Sequence, residues 1–340
     1  MSAEPQRKPT LDNETIAESV TASVWQQGVL DLPQTFRLES GQVLQNAHLA
    51  WQCAGPADAP LIIALGGISA HRRPCSAEGK GWWESQCGEG KTLDTQRYRV
   101  LGIDWLGGCD KSTGPRSHET EQEFPTISTA DQARALLLLL NRLGIRRVHL
   151  LVGASYGGNV AQHLAALLGD RLRKLVLLSA AHCPAQFGLG LRHIQRAILD
   201  LGGETPEALA LARSLAVLCY RTTEGVEQRF ADDSSRDGVV GWLHHHGEKF
   251  SRRFDTAAYR CLGRSLDGHQ IDPETIRAPT TVFAVREDLT VPLSLLHEYV
   301  ERAGGNCQLV EVSSAHGHDA FLKEETAVSA ILAAALESSP

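Results

Sequence analysis

The chain has 340 residues, which at about 150 per domain leaves either two domains or one large α/β domain carrying an insertion. With 42% hydrophobic and 21% charged residues, 31 Gly and 14 Pro, it lies in the ordinary globular range, which excludes collagen, coiled coil and wholesale disorder. Its 33 Lys and Arg against 40 Asp and Glu leave a formal charge of −7, a poor balance for a general binder of nucleic acid or of an anionic membrane surface.

Residues 1–34 read as a polar lead. Its opening, MSAEPQRKPTLDNET, has no apolar core and so does not read as a secretory signal. No uninterrupted apolar run, residues 135–140 included, approaches the ~20 residues of a bilayer span. The eight cysteines form no CxxC pair and read as reduced thiols of a cytoplasmic protein. Short apolar runs bounded by turn residues then predict strands at 48–53 (HLAWQC), 61–65 (LIIAL), 98–104 (YRVLGID), 148–152 (VHLLV) and 174–178 (KLVLL), with two more at 280–285 and 308–312. Helical patterns fall between them, at 129–143, 157–168, 293–303 and 324–336. Runs without polar alternation suit strands buried on both faces, so the expectation is an α/β fold with a mostly parallel sheet covered by helices. From 184 to 271 only helical stretches occur, such as 189–200 and 206–220. The expected organisation is a core of 35–183 and 272–340, split by a helical lid at 184–271.

The most informative string is Gly153-Ala154-Ser155-Tyr156-Gly157, G-x-S-x-G, directly after a predicted strand and before an apolar-faced helix. A serine on so sharp a turn needs glycine neighbours, and the helix start offers free N–H groups to an oxyanion. A nucleophilic Ser155 requires a base and an orienting acid, which on this architecture follow in the order acid, then histidine. Arg286-Glu287-Asp288 follows one late strand, and Ser313-Ser314-Ala315-His316-Gly317-His318-Asp319 follows the last. Glu287 competes with Asp288 and His316 with His318; local spacing favours Asp288 and His318. The oxyanion donors are assigned to Gly66, in the loop 65–71 (LGGISAH), and to Tyr156. The run His244-His245-His246 lacks a spaced partner and reads as a solvated or packed cluster, so no metal site is expected.

Several stretches resemble the homoserine O-acyltransferases of methionine biosynthesis, enzymes of α/β-hydrolase fold: residues 81–84 (GWWE), 106–115 (LGGCDKSTGP), 153–158, 195–196 (QR), 220–221 (YR), 246–255 (HGEKFSRRFD) and 317–322 (GHDAFL). The resemblance, which spans about residues 36–321, implies a Ser155 nucleophile, Asp288 as acid and His318, the histidine of GHDAFL, as base. It further implies that Asp319 binds the amino group of homoserine, that Arg196 contacts its carboxylate, and that Tyr220 faces the substrate. A trimmed lid, Gly66-Gly67 in the oxyanion loop and Asp104-Trp105 in place of the family's usual Asn look most like the members that use succinyl-CoA rather than acetyl-CoA. Lid cations for CoA, or for a succinyl carboxylate, would come from Arg192, Arg221, Arg229, Lys249, Arg252 and Arg253. The resemblance thus implies acyl-CoA and L-homoserine as substrates, no cofactor beyond the acyl-CoA co-substrate, and a homodimer through the lid; the acidic charge balance and the short apolar runs give the expectation of no nucleic-acid or membrane partner. Acetyl-CoA as donor, serine as acceptor, an esterase or thioesterase, and a silent binding protein are the competing readings.

Overall fold

The computed structural model describes residues 25–117, 124–231 and 237–337. Eight strands form the central sheet: β1 (Trp25–Asp31), β2 (His48–Ala54), β3 (Leu61–Leu65), β4 (Arg99–Ile103), β5 (Leu150–Ala154), β6 (Leu175–Leu178), β7 (Thr280–Val285) and β8 (Cys307–Val312). Their order is β1-β2-β4-β3-β5-β6-β7-β8. The pairings of β1 with β2 and β2 with β4 are antiparallel, and those from β4 through β8 are parallel. Residues 25–31, placed in the polar lead by sequence, instead make the edge strand β1. Its burial alternates exposed and half-buried, so it carries no apolar run to betray it. The rest of that lead, residues 1–24, lies outside the described residues.

The inner strands are apolar on both faces because both are covered. Along β3, Leu61, Ile63 and Leu65 join one core cluster, while Ile62 and Ala64 join the other. The first cluster packs under α1 (Thr129–Arg142), α2 (Tyr156–Leu168) and α8 (Leu293–Ala303), which contribute Leu136, Leu139, Leu164 and Leu296. The second packs under α9 (Glu325–Glu337), through Val328, Ile331 and Leu332, and around Trp83. Helix α1 starts at a capping box in which the Ser128 hydroxyl accepts from the Asp131 N–H and the Asp131 carboxylate accepts from the Ser128 N–H.

Five helices stand between β6 and β7: α3 (Gln186–Leu201), α4 (Pro206–Cys219), α5 (Thr223–Phe230), α6 (Gly238–Ser251) and α7 (Thr256–Asp267). They cover the carboxyl ends of the parallel strands, the edge at which open α/β sheets place their sites. A buried anchor ties them to the core: the Tyr156 hydroxyl lies 2.9 Å from Ser265 Oγ on α7 and accepts from Gln132 Nε2 on α1. No helix among the described residues is long and apolar enough to cross a membrane. All eight cysteines are free thiols, including Cys75 and Cys87, whose sulfurs are 2.9 Å apart in the core.

Candidate active site

Ser155 ends β5 and caps α2 with φ 52° and ψ −120°, a backbone geometry that a non-glycine residue holds only when the surroundings enforce it. The enforcement comes from close packing. A side chain on Gly157 would run into the backbone of Leu65 and Gly66, and the Gly157 N–H donates to the Gly66 carbonyl. The turn therefore seats directly against the end of β3 and lifts the Ser155 hydroxyl above the sheet edge.

That hydroxyl lies 2.8 Å from His318 Nε2, and His318 Nδ1 lies 2.7 Å from Asp288 Oδ2. The other carboxylate oxygen of Asp288 accepts from the Thr290 N–H and hydroxyl and from the Val291 N–H, so the acid is clamped in one orientation. Asp288 is 4% and His318 6% exposed. Burial alone would lower the His318 pKa, but the charge and hydrogen bond of Asp288, with the charge of Asp319, raise it above the ordinary imidazole value. The competing residues point elsewhere. Although burial disfavours its charge, Glu287 is held below the usual carboxylate range by bonds from the Ser313 hydroxyl and the Ser314 N–H. The His316 N–H donates to Ser314 Oγ, and burial with Arg221 nearby lowers its pKa.

The segment that follows α4 holds His318 in place. The His318 N–H donates to the Tyr220 carbonyl at 2.9 Å, and the two rings sit 5.2 Å apart. Arg221 pairs with Asp319 at 2.8 Å, and the Thr222 hydroxyl donates to the Ala315 carbonyl. Gly317 has φ 53°, and a Cβ there would lie 2.6 Å from the Tyr220 carbonyl oxygen. Gly317→Ala is therefore expected to destabilise the chain by about 1–3 kcal/mol, through backbone strain and collision together. Turnover should fall as well, because the displaced partner is the carbonyl that holds His318; an unchanged Tm and kcat would contradict this account.

On the other flank, the loop after β3 is pinned from below. Asp104, fully buried, accepts from the Arg72 N–H at 2.7 Å, from Arg72 Nη1 at 2.5 Å and from the Lys111 N–H at 3.1 Å. Arg253 Nη2 donates to the Ser69 carbonyl from the lid side. The Tyr156 N–H, first in its helix, has no intrahelical acceptor by position and faces the turn beside Ser155. The Gly66 carbonyl turns toward α2, and it is Gly67 and Ile68, rather than Gly66, that border the open space above Ser155.

Two cavities meet at Ser155, His318, Tyr220, Ile68 and Leu266. The outer, of about 250 Å³, is bordered by Gly67, Trp82, Phe321, Arg213, Arg253 and Asp319. The inner, of about 60 Å³, is bordered by Asn159, Ser179, Gln195, Tyr259, Arg192 and Arg196. Arg196 Nη1 lies 2.7 Å from Asp267 Oδ2, and Arg192 pairs with the other oxygen of the same carboxylate. Arg196 therefore borders a different cavity from Asp319 and already has a carboxylate partner. Arg213, which no sequence motif singled out, shares the outer cavity with Asp319; its guanidinium packs 4.8 Å from the Phe250 ring centre and 5.8 Å from that of Tyr220. The signal for it was available. Arg213 stands seven positions before Tyr220 in a predicted helix, two turns away and so near the same face.

The chain matches the alpha/beta hydrolase fold family over residues 60–325. It is 36% identical over 322 residues to a homoserine O-succinyltransferase of Xanthomonas campestris, covering 91% of this chain and 83% of that protein. It is 34% identical over 279 residues to a homoserine O-acetyltransferase of Thermus thermophilus, covering 76% and 72%. Among solved structures, a homoserine O-acetyltransferase from Staphylococcus aureus superposes with a TM-score of 0.82 at 25% identity, covering 93% of this chain and 97% of that one. Esterase E22 reaches the same TM-score at 18% identity, covering 92% and 100%, and shares the fold.

Proposed function

Since the chain belongs to the α/β-hydrolase fold family and, within it, to the homoserine O-acyltransferases, we propose that it moves an acyl group from a CoA thioester to the hydroxyl of L-homoserine through an acyl-Ser155 intermediate. The observation that carries this reading is the continuous Ser155–His318–Asp288 relay, set where two cavities meet, of which the outer is bordered by both Arg213 and Asp319.

His318 takes the Ser155 proton as the oxygen attacks the thioester carbon, and the imidazolium that forms is stabilised by Asp288. The oxyanion is held by the Tyr156 N–H and by an N–H of the Gly66–Ile68 turn, whose position Arg72 and Asp104 fix. The tetrahedral intermediate collapses, CoA leaves as its thiol with the proton from His318, and the acyl group stays on Ser155. Homoserine then binds in the outer cavity, its carboxylate on Arg213 and its ammonium on Asp319. This assignment places both groups of one α-carbon in one cavity, which Arg196 cannot do. His318 accepts the proton of the homoserine hydroxyl as that oxygen attacks the acyl carbon, then returns it to Ser155. The lid excludes water, the competing acceptor.

For the donor, we infer succinyl-CoA over acetyl-CoA. An acetyl group needs only an apolar niche, whereas the inner cavity is bordered by Arg192 and Arg196, two guanidinium groups sharing the single carboxylate of Asp267. That surplus positive charge suits a free acyl carboxylate. The test is a matrix of acetyl-CoA and succinyl-CoA against homoserine and serine, with products identified by mass and rates followed as free thiol. The expected outcome is O-succinylhomoserine as the main product, with parallel initial-rate lines for the two substrates. Thiol release at full rate without any amino acid would instead identify a thioesterase, and O-acetylhomoserine as main product would overturn the donor assignment.

A further inference from the structure

Ser179 follows β6, the strand next to β5, on the flank of Ser155 away from the Gly66–Gly67 loop. It is a serine with φ 50°, in the left-handed region that a side-chain-bearing residue adopts only under constraint. It is 1% exposed, and among the described residues its hydroxyl has no hydrogen-bond partner. A strained backbone and an unsatisfied buried hydroxyl are both unfavourable in the empty protein, and nothing in the fold repays either. Ser179 borders the inner cavity, and so does Asn159, 8% exposed and four residues beyond Ser155 on α2. Four residues of helix rise about 6 Å along the axis, a step of the same order as a four-carbon acyl chain. Among the described residues no aspartate or glutamate borders that cavity, whereas Asp319 borders the outer one. The inner cavity is thus lined by hydroxyls, amides and two guanidinium groups, a set that suits an anion and brings no carboxylate of its own to an ammonium group.

We propose that Ser179 and Asn159 form the neutral, hydrogen-bonding part of a subsite for the free carboxylate of a dicarboxylic acyl group, completed by Arg192 and Arg196. This rests on the succinyl reading above and assigns residues that the resemblance did not. With the acyl carbon on Ser155 and its oxygen turned toward the β3 flank, the chain runs to the β6 flank, where the Ser179 hydroxyl and the Asn159 amide donate to its far end.

The experiment compares kcat/KM for succinyl-CoA and acetyl-CoA, at saturating homoserine, in the wild type, Ser179→Ala, Ser179→Gly and Asn159→Ala, each checked for an intact melting transition. The succinyl-to-acetyl ratio should fall about tenfold in each variant, the size expected for one hydrogen bond to a charged group. Ser179→Gly separates the hydroxyl from the strain: it relaxes the backbone, and the ratio should still fall. A ratio equal to that of the wild type in the folded variants would overturn the subsite. A wild type that transfers acetyl but not succinyl would reject the donor reading itself, before any variant is compared, and the subsite with it.

Discussion

Ser155→Ala is expected to lower kcat/KM by roughly five orders of magnitude or more, since the nucleophile and its base act as a unit. Stability should hardly change. The lost hydroxyl removes one bond, to His318, worth about 1 kcal/mol net, and alanine keeps the strained φ. Ser155→Gly should be as inactive yet more stable by about 1 kcal/mol, because glycine adopts this backbone without strain. Thermal melting and thiol-release assays on the pair separate the two effects. Substantial turnover in either variant would mean that the acyl group does not pass through this residue.

The second large effect is Asp288→Asn, for which a loss of about 10³–10⁴ in kcat is expected. The amide is nearly isosteric, but its N–H₂ can face His318 Nδ1 and favour the tautomer that protonates Nε2, the nitrogen that must accept from Ser155. The pH profile carries an independent signature. His318 must be neutral to act, and its pKa is raised in the folded protein, chiefly by Asp288 acting against burial. Wild-type activity is therefore lost as pH falls through that raised value. Removing the charge should move the acid limb of the residual activity to lower pH, while the plateau collapses. A limb that stays in place would show that another group sets it.

How much of this was legible beforehand depended on whether the signal was local. Strands β3, β5 and β7 are entirely buried, and their runs without polar alternation announce them. Strand β1 is exposed along one face and contains Gln26, Gln27 and Gly28, so nothing in its composition separates it from a loop. Ser155 was legible because the turn demands glycines at fixed spacing. Local spacing left Asp288 and His318 each as the favoured one of two neighbours and the resemblance named them; the structure shows these two side chains meeting across the sheet edge. The ion pairs could not be read at all. Asp267 meets Arg192 and Arg196 between two of the inserted helices, and Arg221 of the insertion meets Asp319 after β8, pairings that no periodicity encodes. The expectation of Arg196 on the acceptor came from the resemblance, and its pairing with Asp267 is a contact that no motif announces.

The contacts between residues 220–222 and 315–319 change what the insertion is. His318 is held from outside its own loop by the Tyr220 carbonyl, Asp319 by Arg221, and Ala315 by Thr222. A cover that could swing freely would break all three at once and leave the base unsupported. The corner is better understood as a keystone: the helical insertion and the proton relay form one cooperative unit, and they order or loosen together.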